Sequence, residues 1–96
     1  MPGYWLARAK VRDPENYKRY TDRVPDIMAK YNAKVIVRGG ENQIMEGPKD
    51  FNRFVVIEFP SMQDAVDCFN SEEYQTAAGF RRDGSGDVEI AIVEGI

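Results

Sequence analysis

At 96 residues, with 16 acidic and 13 basic side chains, a net charge of −3 and 43% hydrophobic residues, the chain is one ordinary domain, long enough to bury roughly 60–70% of its unfolded surface and to fold without a disulfide or metal. Its basic residues are interspersed with acids, which argues against a broad phosphate-binding face and a nucleic-acid partner; no apolar run approaches the roughly 18 residues of a membrane span, and the start Met1-Pro2-Gly3-Tyr4-Trp5-Leu6-Ala7-Arg8 lacks the features of a secretion signal. With no histidine and one cysteine, the chain has no Ser–His or Cys–His nucleophile pair, no His-ligated haem, none of the common zinc sites and no intrachain disulfide, which fits a reducing, cytoplasmic setting.

Residues 4–11 alternate, with Trp5, Ala7, Ala9 and Val11 on one face and Tyr4, Leu6, Arg8 and Lys10 on the other, which predicts a strand with one apolar and one mixed side. In Asp13-Pro14-Glu15 the aspartate suits an N-cap, the proline the first helical position and the glutamate the positive end of the helix dipole. The helix that follows carries the stripe Tyr17, Tyr20, Thr21, Val24, Met28 and Tyr31. Pro25 predicts a kink near Thr21 to Val24, with a break into two short helices as the alternative. A second strand is expected over residues 33 to about 46. Val35, Ile36 and Val37 are apolar, then Arg38-Gly39-Gly40 intervenes before Ile44, which reads as one strand with a β-bulge at the glycines. Gly47-Pro48-Lys49-Asp50 turns into a third strand over residues 53–59. Ser61 and Asp64 open a helix with the stripe Met62, Ala65, Val66 and Phe69, and Ser71 caps another that turns Tyr74, Ala77 and Ala78 inward. After Gly79 and the connection Gly84-Ser85-Gly86, residues 88–96 alternate again, Val88, Ile90 and Ile92 against Glu89, Ala91 and Val93.

The order strand, helix, strand, strand, helix, strand is that of a ferredoxin-like split β-α-β fold (βαββαβ), an α+β domain with a four-stranded antiparallel sheet spanning residues 1–96. Its helices cover one face of the sheet, yet Val35-Ile36-Val37 and Phe54-Val55-Val56-Ile57 are apolar on both sides. The expected cover is a second copy of the chain, since two such sheets facing each other close a barrel and bury both inner surfaces.

Gly3-Tyr4-Trp5, the helix start Asp13-Pro14-Glu15 with Tyr17 and Tyr20, Val37-Arg38-Gly39-Gly40, Glu46-Gly47, the run from Val55 to Ser61, Asn70-Ser71 with Glu73-Tyr74-Gln75, and the closing Ile92-Val93-Glu94-Gly95-Ile96 together resemble the small bacterial domain-of-unknown-function 1330 family of the dimeric α+β barrel superfamily. The resemblance implies a ferredoxin-like protomer that dimerises through its sheet, and little chemistry. Superfamily relatives include cofactor-free monooxygenases, muconolactone-type isomerases, His-ligated haem enzymes and effector-binding domains. Without a histidine, the haem and His-Asp activities do not carry over.

Alternation places the candidate site. With Val35, Val37, Val55, Ile57 and Phe59 toward the helices, Arg38 and Glu58 face the barrel interior, where the first strand adds Tyr4 and Arg8. In one reading Arg8 and Arg38 hold a small organic molecule, anionic or enolisable, with Glu58 as partner and Tyr4 as wall or donor; in the other these groups form a buried ion-pair network that fixes dimer register. A carboxylate beside an arginine is a poor proton acceptor near neutral pH, so binding suits Glu58 better than general-base work. Tyr74 and Arg81 are further ligand-binding candidates at the cavity mouth, although Tyr74 also fits an apolar stripe and Arg81 a helix C-terminus. Trp5 is expected in the core, and Cys68 as an unreactive thiol. The carboxylates from Glu41 to Glu46 lack a metal-ligand spacing; no metal and no cofactor are expected. The function expected is small-molecule binding by a homodimeric barrel, with a cofactor-independent monooxygenase or isomerase as the alternative.

Overall fold

Side-chain caps start the helices where the sequence places them. Asp13 accepts from the Asn16 backbone N–H, Ser61 from Asp64 at 3.1 Å and Ser71 from Tyr74 at 3.2 Å. In the computed structural model, which describes residues 1–96, the elements are β1 (Gly3–Val11), α1 (Pro14–Thr21), α2 (Val24–Lys30), β2 (Lys34–Arg38), β3 (Arg53–Phe59), α3 (Met62–Asn70), α4 (Glu72–Gly79) and β4 (Gly86–Glu94). Pro25 produces the full break, not the kink. Lacking an N–H, it could not donate inside a continuous helix, so α1 ends at Thr21 and Pro25 occupies the first turn of α2, where no such donor is needed.

The sheet order is β2-β3-β1-β4, with every neighbouring pair antiparallel, so each β-α-β half contributes one central and one edge strand. All four helices lie on one side. Against them β1 and β3 present Trp5, Ala9, Ile57 and Phe59, which pack with Tyr17, Tyr20, Ile27 and Met28 from α1 and α2 and with Ala65, Cys68, Tyr74, Ala77 and Ala78 from α3 and α4. Trp5 is the centre of this core. Its ring meets Tyr74 edge-on at 4.9 Å and Phe59 at 5.4 Å, and its indole N–H donates to the Ala65 carbonyl at 3.0 Å. Gly3 permits the close approach of β1 to α3, since a Cβ there would stand 2.5 Å from the Met62 backbone. Met62 itself, expected on the inner stripe, is 39% exposed, and Cys68 takes the inward position.

Two expectations about the second strand are corrected. β2 ends at Arg38 instead of continuing to about residue 46: Gly39 and Gly40, at φ 65° and 83°, turn the chain off the sheet into an irregular connection that reaches β3 at Arg53. The bulge lies earlier, at Ile36. Val35 pairs with Ile57, but Val37 pairs with Val56 and Arg38 with Val55, so one residue is unpaired between them. That extra residue reverses the facing of everything after it. Val37 therefore joins the uncovered face, where it is 40% exposed, and Arg38 crosses to the helix side.

Candidate functional site

The rows across the sheet define two different surfaces. On the uncovered side an apolar row runs Val37, Val56, Leu6, Ala91, flanked by Tyr4 and Glu58 in one direction and by Arg8, Phe54 and Glu89 in the other. Its polar groups satisfy one another. The Tyr4 hydroxyl donates to Glu58 Oε1 at 2.8 Å, which with burial and the nearby charge holds the phenol above its ordinary pKa, and Arg8 pairs with Glu89 at 2.9 Å while stacking 3.9 Å over the Phe51 ring. The expected meeting of Arg38 with Glu58 does not occur, because the bulge puts them on opposite faces.

On the helix side the corresponding row runs Arg38, Val55, Ala7, Ile90, and the next holds Arg53, Ala9 and Val88. Two alanines between bulky neighbours leave space beneath α1 and α2. Tyr17, Tyr20, Thr21, Val24 and Pro25 roof a cavity of about 110 Å³ whose floor is formed by Trp5, Ile57 and these two rows. This is the scale of a void of about 150 Å³ that admits benzene, so it suits a single ring or a short chain. No aspartate or glutamate lines it. Arg38 and Arg53 do, and the five ion pairs of the protein involve neither of them. Arg8 borders the cavity too, but its guanidinium turns away to Glu89. A solvent-open depression lined by Lys18, Gly39, Gly40 and Asn52 shares Tyr17, Thr21 and Arg53 with the cavity and marks its mouth. Gly39 matters there, since a Cβ on it would stand 2.8 Å from the Arg53 guanidinium.

Behind the roof lies a buried polar chain. Tyr20 and Tyr74 share a hydrogen bond of 2.8 Å between their hydroxyls, and Arg81 Nη2 donates to the Tyr74 hydroxyl at 3.3 Å. Arg81 is only 5% exposed, makes no ion pair, and its Nε has no partner. Burial pushes the Tyr20 hydroxyl well above its ordinary pKa, helped by Tyr74 and opposed by Arg81, and burial likewise raises Tyr17 against the opposing charges of Arg81 and Arg53. Both phenols are therefore neutral donors at physiological pH.

The sequence-predicted residues thus separate into three groups. Tyr4, Glu58 and Arg8 sit on the uncovered sheet face, Arg38 on the cavity wall, and Tyr74 and Arg81 are buried inside the helix layer, Tyr74 against Trp5. Arg53, Tyr17 and Tyr20 also line the cavity, and alternation alone does not single them out. The signal for Arg53 was its odd-numbered position in phase with Val55 and Ile57, and for the tyrosines the two hydroxyls carried on an otherwise apolar stripe. Cys68 is fully buried and burial raises its thiol to about 12, as its apolar setting implied. No group of three or more metal-ligating side chains occurs, and no helix is long and apolar enough to cross a membrane.

The family model described as Domain of unknown function (DUF1330) matches residues 2–96. No curated protein matches the sequence. Among solved structures the chain is similar to a Rhodopseudomonas palustris protein of unknown function (TM-score 0.77, 18% identity, 99% of this chain and 82% of that one) and to a dimeric Bacteroides fragilis protein of unknown function and ferredoxin-like fold (0.66, 13%, 98% and 96%). It is also similar to SnoaB, a cofactor-independent oxygenase from Streptomyces nogalater (0.63, 10%, 99% and 93%). At these identities the likeness is one of fold, the ferredoxin-like α+β fold of dimeric barrel proteins.

Proposed function

We propose, from the premise that this chain belongs to the Domain of unknown function (DUF1330) family, that each protomer binds a small organic acid in the cavity between its sheet and α1–α2, and that two protomers pair through their uncovered sheet faces. The observation that carries the binding reading is the charge inventory of the cavity: an apolar space of single-ring scale, lined by two arginines free of ion pairs, Arg38 and Arg53, and by no carboxylate. Such a wall favours an anion whose remaining surface is apolar. Tyr4, Arg8 and Glu58, which satisfy one another or Glu89, serve the pairing of the two sheets, around the apolar row that includes Leu6 and Val37, 45% and 40% exposed. Tyr74 and Arg81 support the roof from behind. One buried free thiol and no disulfide suit a cytoplasmic setting.

The test is a thermal-shift and calorimetric screen of single-ring and short-chain carboxylates and phenols against the protein and its Arg38→Met and Arg53→Met variants. A bound acid raises Tm, and removing either guanidinium weakens its binding by about tenfold to a hundredfold, the worth of one charged hydrogen bond. Failure of every acid to bind, or binding indifferent to both substitutions, would overturn the reading. Sedimentation tests the pairing: dimers at low micromolar concentration, and monomers for Leu6→Asp.

The enzymatic alternative, a cofactor-independent oxygenase or isomerase acting on the same ligand, rests on the fold shared with SnoaB. The cavity contains no side chain that accepts a proton near neutral pH, since its titratable lining groups are arginines and tyrosines. Binding is therefore the function its residues serve best. Oxygen uptake or isomerised product on incubation with a bound acid would favour the alternative.

A further inference from the structure

Among the phenols around the cavity, one has a proton whose direction the surrounding hydrogen bonds determine. The Tyr74 hydroxyl is wholly buried, does not border the cavity, and has two polar neighbours: Arg81 Nη2 at 3.3 Å and the Tyr20 hydroxyl at 2.8 Å. A guanidinium can only donate, so Tyr74 oxygen accepts from it. The Tyr74 proton then has one acceptor within reach, the Tyr20 oxygen. Were Tyr20 to donate to Tyr74 instead, the Tyr74 proton would be left buried without an acceptor, the arrangement that folded proteins avoid. The chain of donation therefore runs Arg81 to Tyr74 to Tyr20, and the Tyr20 hydroxyl retains a proton that no group in the protein accepts. Tyr20 is 8% exposed and lines the cavity.

We propose that Tyr20 is the specificity-determining donor of this cavity, aimed by Tyr74 and Arg81, and that the ligand is an acid carrying a second oxygen acceptor, an oxo acid in preference to its deoxy counterpart. This rests on the binding reading above and extends it: the guanidiniums of Arg38 and Arg53 select the carboxylate, and Tyr20 reads a carbonyl-type oxygen elsewhere on the molecule. A deoxy acid filling the same space leaves the Tyr20 proton buried and unpaired. Discrimination by a buried donor left without its acceptor is the strong kind, in contrast to the weak selection by apolar fit.

Paired probes isolate the effect: levulinate against pentanoate, and the acetylbenzoates against the matching ethylbenzoates, with affinities measured by calorimetry. In the unmodified protein at least one oxo acid is expected to bind tenfold or more tightly than its deoxy partner. Tyr20→Phe brings that ratio to about one, in part by strengthening deoxy-acid binding, since no buried donor is then left unpaired. Arg81→Met, which frees Tyr74 to accept from Tyr20, lowers the ratio too; any loss of cationic field affects both acids of a pair and cancels. Tyr74→Phe, which removes the one group able to compete for the Tyr20 proton, should by contrast retain the oxo preference, and loss of that preference in Tyr74→Phe would overturn the inference even if the Arg81 variant fails to fold. Deoxy acids that bind as well as oxo acids, with Arg38 still required, would overturn this inference and leave the binding reading standing. An oxo preference that survives Tyr20→Phe would overturn it as well, and absence of binding by every probe would remove both.

Discussion

Ala7 is the position from which the cavity can be closed with least disturbance. It stands in the helix-side row between Val55 and Ile90, and its methyl group forms part of the cavity floor. Ala7→Ile adds three carbons in a central strand that tolerates β-branched side chains. At about 0.8 kcal/mol for each methylene removed from water, less roughly 0.5–1 kcal/mol of lost rotamer freedom, the variant should be about 1–2 kcal/mol more stable, provided the new atoms enter empty space. Each kcal/mol raises Tm by about 4–8 °C in a domain of this size. Urea denaturation followed by circular dichroism measures the gain, and calorimetry with any acid that binds the unmodified protein should show that binding is lost. Gain of stability together with loss of binding is what a space kept open for a ligand predicts. Destabilisation by more than about 1 kcal/mol, the signature of overpacking, would refute the reasoning by showing that the space beside Ala7 is already filled.

Three further outcomes follow from the packing and charge arrangement. With its thiol raised to about 12, Cys68 is thiolate in roughly one molecule in ten thousand at pH 8, so a disulfide reagent should label it only after unfolding; labelling of the native protein within minutes would contradict its burial. Gly3→Ala should cost at least about 1–3 kcal/mol, because the new Cβ meets the Met62 backbone at 2.5 Å, whereas Gly79→Ala, with nothing within 4 Å, should gain up to about 1 kcal/mol in paired denaturation curves. The Asp87 carboxyl is held below its ordinary pKa chiefly by the hydrogen bond from Arg12. Its contribution is therefore present above the unfolded value near pH 4 and is lost as pH falls through the lower folded value, so Asp87→Asn should flatten the acid limb of the stability profile; an unchanged limb would count against the pairing.

Local chemistry carried most of the fold. β1 alternates cleanly from Tyr4 to Lys10, β3 spans residues 53–59 as its flanking turn signals indicate, and the caps Asp13, Ser61 and Ser71 mark their helices by side-chain type and spacing. The facing of Arg38 was not legible, for a physical reason. Val35, Ile36 and Val37 are all apolar, so nothing in the run distinguishes one facing from the other, and the unpaired residue is fixed only by how β2 meets β3. The glycines drew the bulge to the wrong place because positive φ serves a strand's exit as well as its bulges. One slipped residue then carried the arginine from the expected barrel interior to the opposite layer, and the candidate site moved with it. The cavity itself is a deficit of volume where Ala7 and Ala9 face Tyr17 and Tyr20, a relation between elements that no single segment displays.

A ligand that enters on the helix side of the sheet is distinguished from one between two sheets by methyl NMR. Val35, Ile57 and Val88 carry methyl groups and line the cavity, whereas Leu6, Val37, Val56 and Val93 belong to the uncovered face. Titration with an acid taken from the thermal-shift screen should move the first set, with Arg38→Met abolishing the response. Shifts confined to the second set, retained in Arg38→Met, would place the ligand between the two sheets and contradict the account.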